Sequence, residues 1–139
     1  MLSRLPPSVV VGVMLVALAP PARAAFVVTP DSVPSMGQFE AARRALPLAA
    51  RGRLFRSGEV DINGDERPDL IGQFTDGCTP VGCEAFLLLA TRDGYAARTI
   101  PLPVFDLKLT VLDSVRRGMR DLRLDDARTV LRWDGKAYR

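Results

Sequence analysis

Short apolar runs separated by short turns occupy the chain from Leu54 onward, and this spacing restricts its possible folds more than any other feature. Parallel strands need a crossover of about a dozen residues or more, whereas antiparallel neighbours need only a tight turn. Strands are read near 54–60, 69–75, 84–92, 95–100, 107–113, 119–124 and 128–133, with a short return at 136–139. The gaps leave no room for crossover helices, so antiparallel pairing is expected. Phe86-Leu87-Leu88-Leu89-Ala90 is continuously apolar, as a central strand covered on both faces would be. Leu107, Leu109 and Val111, then Leu122 and Leu124, alternate with polar neighbours like half-buried strands. Asp93-Gly94 and Asp134-Gly135 suit the positive φ values of two-residue hairpin turns.

One helix is expected ahead of the strands. Ser35-Met36-Gly37-Gln38 has the form of a capping box, with Ser35 at the N-cap and Gln38 reaching back. Met36, Phe39, Ala42 and Leu46 follow at spacings that place them on one helical face, and Met36 and Phe39 are read as core. Pro47, which lacks an N–H, should end the helix. Residues 25–34 hold two prolines and no sustained period, and read as an extended lead-in. Residues 35–139 are then a single β-rich domain of the α+β, mainly β class: an antiparallel β-meander with one short N-terminal helix.

The first two dozen residues have the three parts of a secretory signal. Arg4 supplies positive charge, and Val9 to Ala19 is apolar but short of the ~20 residues a spanning helix needs. Ala22-Arg23-Ala24 has the small-x-small form read by signal peptidase, which places the cut between Ala24 and Ala25. Residues 1–24 are therefore expected to be a removed signal peptide, leaving a periplasmic or secreted product with no membrane span in its mature form. The formal charge is +3, and Arg4 and Arg23 carry two of it, leaving +1 after the cut. That charge, with the compartment, excludes nucleic acid as a partner; a protein or other cell-envelope partner is expected. Histidine is absent, which removes Ser-His-Asp and Cys-His catalysis and His-bearing zinc sites. Cys78 and Cys83 close a short turn and, outside the cytoplasm, are expected to form a disulfide. Their spacing is not the C-x-x-C of thiol oxidoreductases.

The stretch most suggestive of chemistry is Val60-Asp61-Ile62-Asn63-Gly64-Asp65-Glu66-Arg67-Pro68-Asp69-Leu70. Side-chain oxygens fall at positions 1, 3, 5 and 9 of a turn, from Asp61, Asn63, Asp65 and Asp69, with the Arg67 carbonyl as a further donor. Hard oxygen donors in that number suit Ca²⁺. An EF-hand would need a bidentate Glu at position 12, where Gly72 stands, so an EF-hand is excluded. The stretch resembles the calcium loop of FG-GAP and VCBS-type repeats, D-x-N-x-D-G-x-x-D-L between two strands. The chain also resembles small exported bacterial proteins with one such loop, then a cysteine-bracketed turn, then a closing hairpin. Cys78 to Cys83, Arg120-Asp121-Leu122 and Trp133-Asp134-Gly135-Lys136-Ala137-Tyr138 match that layout. The resemblance implies a calcium loop; one departure is Glu66, which stands where the family has glycine. A positive φ is costly for a residue with a Cβ. The alternative is a hairpin whose Asp and Asn side chains cap their own backbone as Asx-turns.

Three functions are compatible with these features. The first is an exported non-catalytic β-domain acting as a binding or accessory module, stabilised by Ca²⁺. The second is a periplasmic inhibitor presenting the Cys78–Cys83 turn to a hydrolase. The third is a small carboxylate enzyme using Asp61 and Asp69. Asp125-Asp126 reads as an exposed turn and Arg116-Arg117-Gly118 as a solvated hairpin tip, while Trp133 and Tyr138 should pack across the last hairpin.

Overall fold

The computed structural model describes residues 25–139; the expected signal peptide over residues 1–24 lies outside the described residues. The capping box forms. Ser35 Oγ accepts from the Gln38 N–H at 3.1 Å, and Gln38 Oε1 accepts from the Ser35 N–H at 2.9 Å. Helix α1 (Met36–Ala45) follows and stops ahead of Pro47. It buries Ala42 and Ala45, with Leu46 just beyond its end, and stacks Phe39 on Phe55 at 5.9 Å between centroids. Met36, expected in the core, is 76% exposed. It shares the apolar face but sits in the first turn, and Phe39, one turn on, is where contact with Phe55 begins.

Strands β1 (Phe26–Val28), β2 (Phe55–Val60), β3 (Asp69–Phe74), β4 (Cys83–Leu88), β5 (Ala90–Thr91), β6 (Gly94–Tyr95), β7 (Ile100–Phe105), β8 (Leu109–Arg116) and β9 (Met119–Leu124) all pair antiparallel. The mainly β class with one helix is therefore the fold, although its strands divide between sheets. A four-stranded sheet runs β2-β3-β4-β7, a three-stranded sheet runs β1-β8-β9, and β5-β6 is a separate hairpin. On one face of the larger sheet, Leu70, Phe74, Phe86 and Leu88 meet α1. On the other, Val60, Ile71, Ala85, Leu87 and Phe105 meet Leu109, Val111 and Leu122 of the smaller sheet. This layering of helix, sheet and sheet leaves every residue of β3 buried and requires the apolar continuity of β4. Gly72 lies opposite Phe86, and a Cβ there would fall 2.1 Å from its ring, so the absent side chain is what lets the aromatic cluster cross the sheet.

Several expected boundaries move. The strand expected at 95–100 is instead Ile100–Phe105; Pro101 and Pro103 hide its alternation, and proline is tolerated because β7 is an edge strand. The 84–92 run breaks at Leu89 into β4 and β5, and β8 begins at Leu109, leaving Leu107 exposed. Residues 128–133 and 136–139 contribute isolated bridges, Leu122 to Leu131 and Trp133 to Tyr138, with the two aromatic rings 5.4 Å apart. Within the lead-in, Phe26–Val28 is a true strand paired with β8, and Ser32 bridges Ser57 of β2. Neither Asp-Gly pair is itself a two-residue turn. Gly94 is already paired with Thr91, and Asp134-Gly135 belongs to a four-residue loop between Trp133 and Tyr138. The tight positive-φ turn is at Arg117 (51°) and Gly118 (81°), between Arg116 and Met119.

Candidate functional site

The β2–β3 loop is organised by its own acidic side chains. Asp61 accepts from the Gly64 N–H at 2.9 Å on one oxygen and from the Glu66 N–H at 2.8 Å on the other. Asn63 Oδ1 accepts from the Asp65 N–H at 3.4 Å, and Asp65 Oδ1 accepts from the Arg67 N–H at 2.9 Å. The Arg67 guanidinium also reaches the second Asp65 oxygen at 3.4 Å. Glu66 adopts φ 65°, so the backbone at this position has the left-handed geometry for which the resembled motif uses glycine. The loop is pinned from below by Ile62, fully buried in the core between the sheets.

Asp69 has a different place from the other three side chains. It is fully buried, and its oxygens accept from the Ile62 and Ala90 N–H groups, each at 2.8 Å. Burial pushes its pKa up to about 6, aided by the nearby Asp65 and Asp61 charges and opposed by the two amides. The fold thus gathers Asp61, Asn63, Asp65 and the Arg67 backbone around one half-exposed turn and sets Asp69 beneath it as a clasp between that turn and the start of β5. The donor set of the turn has the hard-oxygen chemistry that suits Ca²⁺. Among the described residues, however, no three Asp, Glu or Cys side chains converge as a metal-holding group.

Beside the loop lies a cleft of about 710 Å³, lined among others by Phe26, Val27, Glu59, Asp61, Glu66 and Arg120. Arg120 was not legible as a site residue, because an arginine in an alternating strand reads as solvated. It is in fact 6% exposed. Its backbone N–H donates to the Ile62 carbonyl at 3.0 Å, which ties β9 to the loop. Its Nε donates to the Leu112 carbonyl at 2.6 Å, and its guanidinium carbon lies 5.1 Å from the Phe26 ring centroid. Its Nη2 has no hydrogen-bond partner among the described residues. Neighbouring Asp121 accepts from Ser114 Oγ at 2.7 Å, and the buried Tyr138 hydroxyl donates to the Arg120 carbonyl at 2.8 Å. Burial, with the Asp121 and Asp69 charges, pushes the Tyr138 phenol above its ordinary range, so it stays a donor.

The second built feature is the disulfide-bonded turn between Cys78 and Cys83. Thr79 and Gly82 exchange backbone hydrogen bonds at 2.8 and 3.0 Å, leaving Pro80-Val81 as the tip, with Val81 73% exposed. Gly82, at φ 131°, packs so closely that a Cβ would come 2.2 Å from the Phe105 carbonyl group. Arg53 braces the base of the turn, bonding Asp76 at 3.0 Å and Glu84 at 2.9 Å while lying over the Phe74 ring. Asp125 and Asp134 are used as caps: Asp125 accepts from the N–H groups of Asp106, Leu107 and Lys108, and Asp134 from those of Lys136 and Ala137. Among the described residues no helix is long and apolar enough to cross a membrane. No protein-family model, curated protein or solved structure matches the chain.

Proposed function

We propose that this chain is an exported binding module that engages a protein of the cell envelope through the cleft between β1 and the β2–β3 loop. The observation that carries the reading is the composition of the cleft. Half-exposed or more exposed Phe26 and Val27 face the carboxylates Glu59, Asp61 and Glu66, beside the buried Arg120. Exposed apolar surface flanked by charge marks surface built for contact rather than for solvent. Removal of a signal peptide and residence in the periplasm or outside the cell belong to the same proposal, supported by the disulfide.

Calcium enters as an ion that orders the loop, held by Asp61, Asn63, Asp65 and the Arg67 carbonyl. The left-handed backbone at Glu66 supports that reading. A second reading, inhibition of a hydrolase, draws on the braced Pro80-Val81 tip. One experiment separates the two contact surfaces. A photoreactive side chain is placed at Val27, Val81 or the exposed control Leu48, and the cells expressing the protein are irradiated. A discrete adduct from position 27 alone supports the cleft, and one from position 81 alone supports the inhibitor. Identical patterns at all three positions, or none, overturn the proposal.

A further inference from the structure

Among the described residues, three of the four edge strands of the two larger sheets carry a local block. In β7, Pro101 and Pro103 lack N–H groups, and since β7 still pairs with β4 the missing donors belong to its open side. β9 is closed by Leu131, which exchanges hydrogen bonds with Leu122 at 2.9 and 2.7 Å. β2 is closed at Ser57 by Ser32, at 3.1 and 2.8 Å. Among the described residues β1 pairs only with β8, and no bridge or proline lies on its outer side; Phe26 is 50% and Val27 62% exposed beside it. Bare edges invite another chain, and stable proteins blunt them unless the edge is used.

The cleft lies along this open edge. Because both backbone groups of Ser57 point outward to Ser32, and outward groups recur every second residue along a strand, those of Glu59 point the same way. Glu59 and β1 are both walls of the cleft, so an extended segment entering it meets unpaired backbone groups on two sides. The side chains state the charge of the segment. Glu59, Asp61 and Glu66 line the cleft, and the one cation among its described lining residues, Arg120, is buried and stacked on Phe26, so the charge the lining exposes is acidic.

Building on the cleft reading above, we propose that the cleft takes an extended basic segment of a partner protein, added as a strand at the β1 edge, with its Lys or Arg side chains meeting Glu59 and Glu66. Backbone pairing then supplies affinity and the carboxylates supply selectivity.

The test uses the protein as isolated and three synthetic peptides: alternating Lys-Val, alternating Glu-Val, and Lys-Val with every second amide N-methylated. Binding is followed by amide shifts in ¹⁵N spectra. The Lys-Val peptide should shift Phe26, Val27 and Glu59, and should bind at least tenfold more tightly than the other two. Glu59→Lys should weaken it about tenfold, and in the free protein should shift only the neighbours of position 59, among them Gln38, whose side-chain amide donates to the Glu59 carboxylate. Equal binding of the N-methylated peptide overturns strand addition and leaves the cleft reading standing. Equal binding of the Glu-Val peptide overturns the basic partner. Concentration-dependent shifts of Phe26 and Val27 without peptide mean that a second copy takes the edge, which also overturns it. If no peptide binds while position 27 still yields a discrete photo-adduct, the inference fails and the cleft reading survives.

Discussion

Asp69 is held between opposing demands: two amides favour its charge, while full burial and the Asp61 and Asp65 carboxylates disfavour it, and burial wins. With a folded pKa of about 6 against an ordinary 3.8, the folded chain binds the proton more tightly than the unfolded one. Asp69 therefore favours folding fully below about pH 4, and that advantage is lost as pH rises through 6, by an amount on the order of 3 kcal/mol. Asp125 acts in the opposite sense. Burial works against it, but the Asp106, Leu107 and Lys108 amides and the Lys108 charge hold its pKa below the ordinary value. Its contribution is present above the ordinary value and lost as pH falls through its folded pKa. The carboxyl carbon of Asp69 should titrate near pH 6 by NMR in chelator, and Asp69→Asn should remove the loss of stability between pH 4 and 7. A midpoint near 4 would show that the two amides dominate instead. Glu66 poses a simpler conflict. At φ 65° its Cβ costs roughly 1–2 kcal/mol, part of which glycine would return through a more disordered unfolded chain. Glu66→Gly should raise stability by about 0.5–1 kcal/mol in denaturant melts without any metal, and should steepen the response to calcium if the loop binds it.

At the scale of elements, local chemistry was legible wherever one side chain acts on a nearby backbone. The Ser35 and Gln38 capping box, the stop at Pro47 and the Cys78–Cys83 turn all formed where expected. What sequence could not show was long-range pairing. Nothing in Phe26-Val27-Val28 announces that its partner is Leu109–Val111, and nothing in Arg120 announces burial, since both facts depend on a sheet that closes last in sequence. The Asp-Gly pairs misled for a related reason: register is set by cross-strand packing, and Arg117-Gly118 met the turn's demand instead. For the β2–β3 loop, the donors were legible but Asp69's turn into the core was not. That loop's proposed calcium response is measured by melting. Binding to the folded form alone adds about 2.7 kcal/mol at a hundredfold excess over Kd. The melting temperature should rise with millimolar calcium and fall in chelator, and Asp61→Ala should abolish the difference; identical melts leave the loop self-capped. The disulfide turn is short, with a sequence separation of 5, so its chain-entropy contribution is about 2 kcal/mol at most. Replacing Cys78 and Cys83 together by Ser should cost no more than that in a urea titration, because the Thr79–Gly82 pairing and the Arg53 brace remain. A larger loss would mean that the turn organises more of the fold than its own tip.

Across the whole molecule, the N-terminal segment holds the two sheets in one body. β1 pairs with β8 of the smaller sheet, and four residues later Ser32 pairs with β2 of the larger one. Val28 is the residue at the junction. It is buried with Leu109 and Val111, and it packs so close to β2 that a Cβ on Gly58 would fall 2.5 Å from its Cγ1. Phe26 and Val111 are far apart in sequence, so this contact requires a long loop to close before it returns any packing energy. Contacts of that kind are expected to form late, after the local hairpins β2-β3, β3-β4 and β8-β9. Val28→Ala removes two buried methyl groups at a site confined on both sides, and should destabilise by about 2 kcal/mol. If docking of β1 follows the transition state, nearly all of that loss appears in the unfolding arm of the chevron, about thirtyfold faster, with the folding arm unchanged. Slowed folding with unchanged unfolding would place β1 in the nucleus and reverse the order. The same arrangement links stability to the proposed partner. A segment paired along the outer side of β1 holds the docked form only, so saturating Lys-Val peptide should slow unfolding of the wild-type protein, and slow it by the same factor in Val28→Ala.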